Sequence, residues 1–117
     1  MTLTTQEKAA VCRRAAELVR GGSCRGTFAR NAQGNGTAYW GDTAVRWCVS
    51  GALKRACSDV GAEEESSDIL HAIGKAERRP AVSINDSEPS DTARAALIAG
   101  LLERQAVRYE QQSQEQT

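Results

Sequence analysis

Aromatic rings, histidine and long apolar runs are all scarce in this sequence. Its 117 residues include two Trp, two Tyr, one Phe and one His. A single His, with Cys12, Cys24, Cys48 and Cys57 spaced too widely for any C-x-x-C pair, excludes zinc-finger spacing. No metal site and no cofactor is implied; the neighbouring carboxylates Asp86 and Glu88 do not by themselves make a cation site. No apolar run approaches the ~20 residues of a membrane-spanning helix, and residues 1–8 are polar, without a signal-peptide core. The expected location is the cytoplasm, with reduced thiols. Fifteen Lys plus Arg balance fifteen Asp plus Glu. Dedicated nucleic-acid and membrane-surface binders carry surplus cations, so this balance argues against both.

What is abundant is alanine. The chain holds 19 Ala against seven Leu, seven Val and four Ile, which predicts a thin core filled by helices whose backbones approach closely. The fold class expected is mainly α, about four helices with a Gly-rich loop or short hairpin after the first. Residues 1–109 read as one small domain and 110–117 as a frayed polar tail. The zero net charge also hides a split. Residues 1–60 carry nine basic and four acidic side chains, residues 61–117 six basic and eleven acidic. Opposed halves attract each other within one fold or between copies, so a homo-oligomer is one outcome and internal pairing the favoured one.

Thr4 and Glu7 have capping-box spacing, and Val11, Cys12, Ala15, Leu18 and Val19 follow at helical spacing, predicting a helix over 5–20. Gly21 and Gly22 end it. Residues 21–41 hold six of the ten glycines and suit an ordered loop or irregular hairpin, with Cys24 exposed beside Arg25. A second helix is expected from Asp42, its apolar stripe running Val45, Cys48, Val49, Ala52, Leu53, Ala56 and Cys57. A third follows Ser66 or Ser67 and stops at Pro80. Residues 81–84 read as a short extended piece and 85–89 as a turn. Ser90 then caps a closing helix through Ile98, Leu101, Leu102, Gln105 and Tyr109.

Three patches stand out: Gly26-Thr-Phe-Ala-Arg30-Asn31, Trp47-Cys48-Val-Ser-Gly51-Ala-Leu53, and Asn85-Asp86. In this order they resemble a family of small bacterial, largely actinobacterial, and phage proteins without an established activity. That family shows G-x-F-A-R-[DN]-x-x-G, then W-C-x-x-G-A-L, then an N-D turn before a closing helix. The resemblance spans roughly residues 8–105. It implies a fold and an order of motifs, and no reaction. Where the family often has Trp before Asn-Asp and a later Thr-His pair, this chain has Ile84 and Thr92-Ala93.

The leading functional expectation is a non-enzymatic module that binds another protein, an inhibitor or accessory factor of bacterial or phage origin. Its binding residues would be Arg30, Trp40, Arg46, Trp47, Asn85 and Asp86. Each Trp either fills space that Ala leaves, its indole N–H finding an acceptor, or stands exposed beside Arg30 or Arg46 as an anchor. The alternative is a Cys-dependent enzyme or small-ligand pocket around Cys48 and Asn85-Asp86, with His71 as the sole candidate base. A third reading, nucleic-acid binding through the basic N-terminal half, lacks a recognition helix with an exposed basic start.

Overall fold

The computed structural model describes residues 2–115. Five α-helices dominate them: α1 Thr5–Gly21, α2 Val49–Asp59, α3 Ser66–Glu77, α4 Ala81–Ser87 and α5 Asp91–Glu115. A 3-10 turn, Glu63–Glu65, leads into α3. Three two-residue strands, β1 Ala29–Arg30, β2 Gly36–Thr37 and β3 Arg46–Trp47, make a small antiparallel sheet in the order β2-β1-β3. The radius of gyration is 13.3 Å, matching one compact unit of this length.

Helix α1 begins where the capping box predicts: the Glu7 N–H donates to Thr4 Oγ1 at 3.1 Å, and the Thr4 N–H to Glu7 Oε1 at 2.9 Å. Its buried face, including Cys12, Ala15, Ala16 and Val19, packs along α5, whose buried residues include Ile98, Leu101, Leu102 and Ala106. These faces join Val49, Ala52, Leu53 and Cys57 of α2 and Ile69 and Ile73 of α3 in one core. Alanine carries the close approach, as its abundance predicts.

Four expectations are corrected. Helix α2 starts at Val49, not Asp42. The N–H groups of Val45, Trp47 and Cys48 donate to the carbonyls of Arg30, Gly22 and Phe28, so the donors a helix would need there are spent on the sheet. The 81–84 piece and residues 85–87 of the expected turn form α4, with Pro80 at its N-cap and Ala81 and Asn85, four residues apart, on its buried face, while Glu88 and Pro89 stay outside the helix. Proline fixes the φ that a helix start requires. Cys24 is buried, not exposed, behind the loop that Arg30 and Asn85 close. Finally α5 runs on to Glu115; Glu110 is tied to Arg13, and Gln and Glu are good helix formers. Residues 116–117 of the expected frayed tail lie outside the described residues.

Part of the charge split is spent inside the fold. Arg13 pairs with Glu110 at 2.6 Å, Arg20 with Glu103 at 2.7 Å, and Arg46 lies 4.0 Å from Asp91. Each links the basic half to the acidic half, and the first two show that α1 and α5 run antiparallel.

Candidate functional site

The three patches meet in space. Cys48 is the N-cap of α2, its Sγ accepting the Gly51 N–H at 3.3 Å, while its own N–H donates to Phe28 O at 3.1 Å. A thiol is an unusual cap; Ser, Thr, Asp and Asn are preferred. Gly51 lies so close to the Phe28 backbone that a Cβ would sit 2.0 Å from its carbonyl oxygen. Only glycine permits that contact. Asn85 supplies what the cap leaves undone. Its Oδ1 accepts the Val49 N–H at 3.0 Å, and its Nδ2 donates to Cys24 O and to Asp86 Oδ1, both at 3.1 Å. One fully buried amide therefore joins α2, α4 and the loop.

Around this junction Gly26, Phe28, Cys48, Ser50, Val82 and Asp86 border a groove of about 440 Å³. His71, the candidate base for a thiol nucleophile, lines another groove, between α3 and α4, whose wall does not include Cys48. Burial raises the Cys48 thiol above its ordinary value, against lowering by the Gly51 and Ser50 N–H groups. Cys12 is pushed up to about 12, and Cys24 and Cys57 to about 11, each chiefly by burial. At all four cysteines burial favours the neutral thiol.

Beside the groove stands an aromatic ledge. Phe28 is 47% exposed and Trp40 62% exposed. Between them lies the buried Tyr39 ring, edge-on to Phe28 at 6.1 Å and to Trp40 at 4.7 Å. Tyr39 is held at both ends: its hydroxyl donates to Glu63, and its carbonyl accepts from Trp47 Nε1 at 3.2 Å and from Arg55 at 3.3 Å. Lys54 Nζ sits 5.5 Å from the Phe28 ring centroid and 6.0 Å from that of Tyr39, within cation–π range.

The expected binding residues thus divide. Trp40 and Asp86 are exposed, and Arg46 is exposed near Asp91. Trp47 and Asn85 are buried, with their polar atoms engaged inside the fold. Arg30 donates to the carbonyls of Gly34 and Arg25, both at 2.9 Å, and so shapes the loop. Arg94 was absent from that set, yet it is 1% exposed and donates to Glu88 O, Pro89 O, Ser23 Oγ and Asp91 Oδ1. Its position, four residues before Ile98 on the same helical face, was the available signal. That bond holds the Asp91 carboxyl below the usual carboxylate range.

The model of a family of unknown function (DUF6197) matches residues 3–112, so the chain belongs to that family. No curated protein and no solved structure matches it.

Proposed function

We propose that this protein is a non-enzymatic interaction module that grips a protein partner with the ledge of Phe28 and Trp40, Lys54 standing at its edge. The observation that carries this reading is a large exposed indole on a fixed support: Trp40 rests on Tyr39, which is itself bonded at hydroxyl and carbonyl. A chain with five aromatic side chains leaves two of them substantially in water. Trp dominates interface hot spots, and a side chain already immobilised loses little entropy on binding. An inhibitor or accessory factor acting in a bacterial or phage setting is the concrete form of this reading.

A photo-crosslinking phenylalanine analogue at position 40, introduced in the native host cell, should give one discrete adduct. Phe28→Ala should remove that adduct while barely moving the melting temperature. Absence of a discrete adduct, or one indifferent to Phe28, would overturn the reading. A small-ligand pocket in the neighbouring groove is the second reading, favoured by the meeting of the three patches at Cys48 and Asp86. Cys48→Ala leaves the adduct unchanged under the first reading and abolishes ligand binding under the second.

A further inference from the structure

Every Lys and Arg side chain among the described residues has a carboxylate, carbonyl or ring partner except two, Lys75 and Arg78. Both line the same groove, about 560 Å³ between α3 and α4, and Arg79 and His71 line it with them. No acidic residue does. The rest of its wall is largely aliphatic, with Leu70, Ala81 and Val82. Among the described residues the Lys and Arg side chains without such a partner thus sit in the net-acidic half, gathered around apolar surface.

Arg78 adds a second argument. It is the C-cap of α3 at φ 59° and ψ 30°, the only side-chain-bearing residue at positive φ among those described. Glycine usually takes that position, because a Cβ is strained there. Closing the helix does not call for arginine at this point, whereas the residue that stands there also lines the groove and brings a guanidinium to it. Cations near a helix C-terminus do complement the dipole. That effect accounts for their sign and leaves the aliphatic wall beside them unexplained.

We propose that this groove binds an acidic peptide segment, with carboxylates on Lys75, Arg78 and Arg79 and an aliphatic side chain against Leu70 and Val82. Nucleic acid fits less well, since no aromatic ring lines the groove to stack a base. The surface is separate from the Trp40 ledge, and the proposal does not depend on it.

The probe is a fluorescein-labelled peptide of alternating Glu with a central Leu-Leu pair, read by fluorescence anisotropy at low salt. The wild-type chain should bind it. Lys75→Glu combined with Arg78→Gly should weaken binding at least about tenfold, one exposed charge contact being lost and another reversed. Arg78→Gly alone should weaken it too while keeping or raising the melting temperature, which separates binding from folding. Trp40→Ala should bind as wild type. The same peptide with Gln for Glu should bind no better than the double variant. No binding by the wild type, equal binding by Arg78→Gly, or stronger competition by single-stranded DNA than by the unlabelled peptide would each overturn the proposal.

Discussion

Helices α1 and α5 meet through small and aliphatic side chains, Cys12, Ala15, Ala16 and Val19 from one and Ile98, Leu101, Leu102 and Ala106 from the other. The segment between Gly22 and Val49 holds little such bulk and is fixed bond by bond, through Arg30, Trp47, Cys48 and, from α4 and α5, Asn85 and Arg94. In the first region stability is spread over many weak contacts, so no single atom is decisive. In the second, one donor or one missing Cβ decides whether a whole segment can sit where it does. The exposed aromatic ledge grows from this second region, so the surface proposed for recognition rests on the part of the fold held by single bonds.

The largest test of that contrast uses two glycines. At Gly51 a new Cβ meets the Phe28 carbonyl carbon at 2.7 Å as well as its oxygen, both backbone atoms that cannot yield. Gly51→Ala should cost about 3 kcal/mol, the upper end for overpacking. At Gly100 in α5 the nearest atom is the end of the Arg104 side chain, 3.7 Å away, so Gly100→Ala should stabilise by about 0.5–1 kcal/mol through helix propensity. Urea denaturation measures both. Equal effects would erase the distinction between the regions.

Next come the polar clamps. Arg94→Met removes a buried guanidinium that donates to two carbonyls, a hydroxyl and a carboxylate, and should cost about 2–3 kcal/mol. Asn85→Ala leaves the Val49 N–H and Cys24 carbonyl unpaired, for about 2 kcal/mol. Hydrogen exchange should show the loop and the start of α2 opening in both variants while α1 and α5 stay protected. Uniform loss of protection would mean that the clamps serve the whole core.

Thiol ionisation should give a smaller change per group. The native thiols of Cys12, Cys24 and Cys57 titrate at about 11 to 12, whereas unfolded thiols do so near ~8.5. A raised native value leaves stability intact below the unfolded value and erodes it above, because only the unfolded chain then releases protons. The loss should reach about 1–2 kcal/mol per thiol by about pH 10, read from melting curves between about pH 7 and pH 10. Rapid labelling of Cys48 by a thiol reagent in the native state would contradict its burial and revive the cysteine-dependent reading.

The same contrast explains what the sequence made legible. Helices α1, α3 and α5 follow from apolar spacing, and the caps at Thr4 and Ser90 form as read, the latter accepting the Ala93 N–H. Helix α2 was misplaced because Asp42 and Thr43 look like a cap, whereas the cap is the thiol of Cys48. Helix α4 was missed because Val82 and Ile84 alternate like a strand, and its helical form rests on Pro80 and on the buried Asn85. Of the six expected binding residues the structure leaves Trp40, Arg46 and Asp86 exposed and buries Trp47 and Asn85. Asn85 reaches Val49 across 36 residues and Cys24 across 61, and no local periodicity records such a bond. Whether Trp40 or Trp47 faces water likewise depends on Tyr39 and Glu63, which the chain brings together only on folding.

The smallest expected effect concerns the ion pairs that cross α1 and α5. Arg13, Glu110, Arg20 and Glu103 are all substantially exposed, so water and side-chain entropy offset most of their attraction. Arg13→Ala with Arg20→Ala should lower the melting temperature slightly at low ionic strength and leave it unchanged near ~1 M salt, where the Debye length shrinks to ~3 Å. The variant should also keep the wild-type sedimentation coefficient, since these pairs join one chain to itself. If removing the two arginines instead shifts the oligomeric state, the opposed charge halves act between copies, and the α1–α5 seam is an interface surface as well as an internal one.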